Sequence, residues 1–322
     1  MTRTRRNHYD VTDRVRISHP DAVCSAVLQT LRPRFPGVSE PVLRRAFDTF
    51  ARLYAGVLPG YVGCDTWYHD AQHSLDCALA MARLLDGHDR SVGERERLGD
   101  SRALLGVVIA LFHDAGYIRR EDDPARNGAE YTLNHVHRSG EFLGAFLPSL
   151  GLGDAVALTR QVVHFTGYEI ALDKIQVPDP RDRTLGFLLG TADILAQTSD
   201  RCYLEKCRDF LFREFRICGL AGTPGSKYPT VEALLSNTPE FNQQLWEDRL
   251  DGYFRQAYRY MEAHFGGHNP YVEQIQAHLK LIATLARQRR LDRLTKRPSF
   301  IGAEALRRQL GLSRDESLAV AA

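Results

Sequence analysis

The chain has 322 residues, 43% hydrophobic and 25% charged, which is ordinary for a globular protein and excludes disorder as its main state. Its formal net charge is only +2, too balanced to argue for nucleic acid or an anionic membrane as the main partner. No apolar run is long enough to cross a membrane, no secretory signal opens the chain, and none of the six cysteines forms a CxxC pair, so reduced thiols in a cytoplasm are expected.

In chain order, residues 1–18 are polar and arginine-rich and read as a loose tail. Apolar spacing predicts helices over 21–32 and 40–56, the second with Ser39 as N-cap and Pro41 in its first turn. Pro59, Gly60 and Gly63 mark 57–66 as a loop. A helix should follow over 67–86, ended by Gly87. The run from Ala103 to Phe112 is apolar nearly all round, so the helix over 101–114 belongs at the centre of the core. Beyond a polar loop over 119–130, helices are predicted over 131–147, 154–166, 183–197, 200–217, 239–265 and 270–288. Residues 219–230 are a Gly/Pro loop. Residues 289–297 are basic, the cluster Arg287, Arg289, Arg290, Arg293 and Arg297 reads as a solvated helix end, and 302–310 reads as a short helix. No alternating strand pattern or internal repeat is present. The expected fold is all-α: one helical domain over 19–288, between the tail and a basic extension over 289–322.

Twelve histidines carry the chemistry. His-Asp occurs at 69–70, 88–89 and 113–114. His88-Asp89 lies in the polar stretch Asp86-Gly87-His88-Asp89-Arg90 and reads as a solvated loop. His113-Asp114 closes the most apolar helix, where two polar side chains need a partner, either protein groups or a cation. On a helix, His69, His73 and Asp76 would share one face at i, i+4 and i+7. Asp193 is a single carboxylate inside the apolar run Leu185–Leu195 and must be hydrogen-bonded or bind a cation. Together His73, His113, Asp114 and Asp193 supply two nitrogens and two carboxylates. Such a mixed set suits zinc, manganese, iron or magnesium. A two-metal site suits phosphoester hydrolysis, because it clamps both the attacking and the leaving oxygen.

The order H, HD, D on an all-α chain resembles the HD-domain superfamily of metal-dependent phosphohydrolases. Within it, Tyr68-His69-Asp70-Ala71-Gln72-His73-Ser74-Leu75-Asp76 is similar to the Y-H-N-x-x-H-A-x-D-V motif of class I 3′,5′-cyclic-nucleotide phosphodiesterases. Thr191-Ala192-Asp193-Ile194-Leu195 resembles their later metal-binding aspartate segment. The resemblance covers roughly 60–217. It implies an HD helical bundle, two divalent metals, and a small phosphorylated substrate, a nucleotide or cyclic nucleotide. His73, His113, Asp114 and Asp193 would hold the first metal, and Asp114 would bridge to the second. His69 would protonate the leaving oxygen, and Asp76 would orient a ligand histidine. Asp70 replaces the family's asparagine. Tyr117 replaces the histidine of HDxxH, beside the second metal or the substrate. The order H, HD, H, H, D also resembles the HD-GYP cyclic-dinucleotide phosphodiesterases, which implies His137 and His164 as second-metal ligands. His135 is expected to face water. Two alternatives stay open: a nucleotide phosphomonoesterase on the same site, or a degenerate HD module that binds a nucleotide or a protein without catalysis.

Overall fold

The computed structural model describes residues 5–312, and the fold is all-α. Among the described residues the extended pairings are isolated bridges at Tyr9–Arg16, Tyr61–Arg120 and Ala221–Tyr228, and no sheet forms. The helices are α1 (Pro20–Leu31), α2 (Glu40–Ala55), α3 (Ala71–Ser91), α4 (Gly99–Phe112), α5 (His135–Phe146), α6 (Val156–Val162) and α7 (Pro180–Ser199). They continue with α8 (Tyr203–Lys206), α9 (Phe212–Ile217), α10 (Val231–Gln244), α11 (Tyr260–Phe265), α12 (Pro270–Arg287) and α13 (Ala303–Gln309). No helix is long and apolar enough to cross a membrane.

α3 is the central element, packed against α1, α4, α7 and α11, and every residue from Ala71 to Asp89 is buried. Its polar residues therefore cannot escape to water on any side. α4 is likewise buried from Ala103 to Phe112, as its apolar run predicts. α3 does not stop at Gly87. A Cβ there would lie 1.8 Å from the Tyr260 carbonyl oxygen, so this glycine lets α11 cross α3 in close contact. His88 and Asp89 are consequently buried in the helix and not in a solvated loop.

Several expected boundaries move. The 67–86 helix begins at Ala71, because the Asp70 carboxylate caps it by accepting from His73 N at 3.1 Å. His69 therefore precedes the helix and does not share a helical face with His73 and Asp76. The 200–217 segment is interrupted by a π-helical turn at Cys207–Leu211. The 239–265 segment starts earlier, at Val231, and passes through a second π-helical turn, Leu245–Tyr253. It then breaks where Arg255 and Gln256 take positive φ.

Neither terminal region is loose where it is described. Buried Asp10 accepts from Arg83 Nη2 at 2.7 Å, Ile17 is fully buried, and Arg5 donates to the Ser199 carbonyl. At the other end Ile301 N donates to Asp70 Oδ2 at 2.8 Å, and Leu306 of α13 is buried against α2. The polar tail and the basic extension thus cover the core. Composition could not reveal this, because the anchoring residues are few and scattered.

Candidate metal centre

Three elements deliver the cluster. The Asp70 cap fixes the first turn of α3 and with it His73. α4 ends at His113, and Asp114 leaves the helix at φ −103° and ψ 7°. Asp193 comes from the middle of α7. The buried group His73, His113 and Asp114 could hold a metal ion, and Asp193 lies against both histidines.

The spacing of the ligand atoms on His73, His113 and Asp114 fits one cation. His73 Nε2 lies 3.2 Å from His113 Nε2, 3.4 Å from Asp114 Oδ2 and 3.1 Å from Asp193 Oδ1. His113 Nε2 lies 3.4 Å from Asp114 Oδ2 and 3.5 Å from Asp193 Oδ1. Ligand atoms bound at about 2.1 Å to one ion stand about 3.0–3.4 Å apart at adjacent vertices. The donors also lack other uses. Asp114 Oδ2 and Asp193 Oδ1 are buried with no hydrogen-bond donor. His113 Nδ1 donates to the Ala110 carbonyl at 2.8 Å, which aims Nε2 at the cluster.

Electrostatics agree with a site built for positive charge. Burial alone would raise the Asp193 carboxyl, but His113 and His73 pull it far below the carboxylate range. Asp114 is lowered too, against its burial, by His113, His69, His73 and His135. Burial opposes charge on His113, yet Asp114, Cys77 and Asp193 hold its pKa well above the ordinary value. A cation entering the group therefore displaces a proton.

Beside the cluster three rings stack. Tyr117 lies between His69, at 4.4 Å and 17°, and His135, at 4.3 Å and 22°. His69 Nδ1 donates to Glu214 Oε2 at 2.6 Å, and Glu214 Oε1 accepts from Tyr68 N. Burial disfavours the charged form of His69, but Glu214, then Asp114 and Asp193, raise its pKa. His135 Nδ1 donates to the Thr132 carbonyl at 2.8 Å, so Nε2 carries a lone pair. That lone pair faces Asp114 Oδ1 at 3.6 Å, and burial lowers the His135 pKa to about 4. Two acceptors face each other there, an arrangement that a cation satisfies.

The remaining expected residues fall elsewhere. His137 is exposed on the outer face of α5, its backbone N–H capped by Glu169, and cannot join the cluster. His135, expected to face water, points inward instead. A Cβ on Gly116 would lie 1.9 Å from the His135 carbonyl oxygen, so only glycine lets α5 approach the His-Asp turn this closely. His164 is buried, and its Nδ1 lies 4.0 Å from Glu169 Oε2 rather than at the cluster. Asp76 makes no hydrogen bond to a histidine: both its oxygens are buried without a partner, and burial raises its pKa to about 7. It lines a void of about 10 Å³ behind His73, with Gln72, Asp200 and Lys206, close to the smallest space that holds a water.

Sequence reading also missed Glu214. The available signal is a carboxylate in register with Cys207 and Phe210 at helical spacing, on a stripe that packs inward.

A cavity of about 440 Å³ opens over the cluster. His69, His73, His113, Asp114, Tyr117 and Asp193 form its floor, and Phe215, Tyr228, Phe241 and Arg249 are among its walls. Compared with protein-family models, curated proteins and solved structures, the chain matches none.

Proposed function

We propose that this chain is a metal-dependent phosphohydrolase of HD type, most simply a phosphodiesterase that cleaves a nucleotide ester. The observation that carries the reading is the pairing of two arrangements on one cavity floor. One is the cluster of mutually facing ligand atoms on His73, His113, Asp114 and Asp193, with one buried oxygen of each aspartate left without a hydrogen-bond partner. The other is a histidine whose ring Nδ1–H donates to a buried glutamate beside it.

The first cation would be held by His73, His113, Asp114 and Asp193. Asp114 and His135 would hold a second. Such a pair supplies Lewis acidity that clamps phosphoryl oxygens and activates water. The chain supplies the rest. Glu214 accepts from His69 Nδ1 and favours the imidazolium form, in which Nε2 also bears a proton that it would offer to the departing oxygen. Tyr117 stacks between the His69 and His135 rings and fixes where each one sits. The Ala110 carbonyl orients His113.

The direct test is the metal content of protein purified without chelator, with hydrolysis of bis-p-nitrophenyl phosphate assayed on the same sample with and without manganese. Bound metal together with turnover is expected. Protein that takes up no divalent metal and shows no turnover sinks the reading. Metal uptake with turnover confined to nucleoside monophosphates would make the enzyme a monoesterase.

A further inference from the structure

The cavity holds a cation that hydrolysis at the metal cluster leaves unused. Arg249 sits in the π-helical turn Leu245–Tyr253 and is only 7% exposed. Its Nη1 and Nη2 donate to the carbonyl oxygens of Phe165 and Gly167. The guanidinium carbon lies 3.8 Å from the centre of the Tyr168 ring. These bonds use two of its five N–H donors.

Arg83, Arg102, Arg119 and Arg138 each have an aspartate partner. Among the described residues no carboxylate stands within ion-pair distance of Arg249. A guanidinium cannot shed its proton to escape the cost of burial. An unpaired one in a cavity wall is therefore poised for an anion that arrives from outside.

The surroundings support this. Leu133 and Tyr168 are 65% and 68% exposed, the highest values among the large apolar side chains described, and both line this cavity. Lys227 lines it as well. The cavity's carboxylates are already committed: Asp114 and Asp193 face the histidines, and Glu169 accepts from the backbone N–H groups of Val136 and His137.

We propose that Arg249 receives a second anionic group of the substrate, a phosphate or carboxylate separate from the phosphoryl group that is cleaved. This rests on the phosphohydrolase reading above. The cleaved group has its own positive partner at the metal cluster, and a cavity of about 440 Å³ extends well past one phosphate. Two backbone carbonyls and the Tyr168 face fix the guanidinium plane, so its free donors are already oriented for an oxyanion. The favoured substrate is then a phosphoester whose far end is itself phosphorylated or carboxylated. Its organic part meets the apolar rim.

Two chromogenic esters differing only in that group provide the test: thymidine 5′-(p-nitrophenyl phosphate) and its 3′-phosphorylated form. The protein as purified with its metal should prefer the 3′-phosphorylated ester by about tenfold or more in kcat/KM, mainly through KM. Arg249→Gln should bring the ratio of the two esters close to one. Arg249→Lys keeps the charge without the paired carbonyl bonds and should retain most of the preference. Circular dichroism melts establish that each variant folds.

Calorimetric binding of inorganic pyrophosphate and of citrate to chelator-treated protein needs no turnover. Arg249→Gln should weaken it by about tenfold, and the tighter of the two anions identifies phosphate or carboxylate as the preferred group. The proposal is overturned if both anions bind wild type and Arg249→Gln alike. It is equally overturned if both variants lose activity on the two esters in the same proportion, since the arginine then fastens the 165–168 turn or meets the cleaved group. Anion binding that depends on Arg249, with neither ester cleaved, would uphold the anion site and reject the hydrolase reading.

Discussion

The two ends of α3 each bury a histidine-aspartate pair, and they treat it in opposite ways. Near the C-terminal end, His88 Nδ1 donates to Asp89 Oδ1 at 3.1 Å, and Leu98 N donates to the same oxygen. Asp86 Oδ2 accepts from both Arg90 and His264. There the carboxylates find protein donors, with only Asp86 Oδ1 left over, and the bonds fasten α3 to α11 and to the turn before α4. Near the N-terminal end, His73 meets His113 and Asp114, and the buried oxygens Asp114 Oδ2 and Asp193 Oδ1 find no hydrogen-bond partner. Burial and residue type are the same in both places. What separates a structural cluster from a candidate cation site is whether the protein itself supplies the donors.

The largest expected effect comes from treating the two aspartates alike. Asp114→Ala should abolish metal binding and turnover, while circular dichroism stays helical. Asp89→Ala should keep both but lose about 1–3 kcal/mol of stability, because Leu98 N–H and His88 are left unpaired in the core. Metal content and denaturant midpoints measured on both variants check this. Loss of metal from Asp89→Ala would erase the distinction between the two ends.

A smaller effect is expected at Glu214. Glu214→Gln should lower kcat by about a hundredfold, the typical worth of general acid catalysis. It should also move the alkaline limb of the pH–rate profile to lower pH. The sign follows from the pair: Glu214 raises the His69 pKa, an acid must be protonated to act, and without the glutamate His69 loses its proton earlier as pH rises. An alkaline limb that does not move would remove His69 from that role.

The smallest effect concerns the two histidines of α5. His137→Ala should leave metal content and turnover as they are and change stability by no more than about 0.5 kcal/mol. His135→Ala should lower the number of metal equivalents bound and slow turnover. Equal outcomes for the two would show that the inward position of His135 has no chemical consequence.

Much of the fold can be read along the chain. The apolar run Ala103–Phe112 implies a central buried helix, and the spacing of leucines, alanines and phenylalanines elsewhere implies an all-α chain. These are local properties, since a helix pattern repeats every few residues and needs no distant partner to be recognised. The candidate site was legible in part for the same reason. Charged side chains at the end of a core helix or in its middle, as at His113-Asp114 and Asp193, are costly unless something binds them.

Everything that depends on a distant partner was decided by tertiary structure. Gly116 lets α5 approach the His-Asp turn, which places His135 rather than His137 beside Asp114. Glu214 reaches His69 across 145 residues of sequence. Gly87, which looks like a helix stop, is instead the place where α11 crosses α3. The termini, polar by composition, are anchored by Asp10, Ile17, Ile301 and Leu306. Sequence by itself therefore determined the helices and the kinds of ligand atom available. Packing decided which of those atoms face each other without donors, because hydrogen-bond satisfaction belongs to pairs of groups, and the pairs here join segments far apart in the chain.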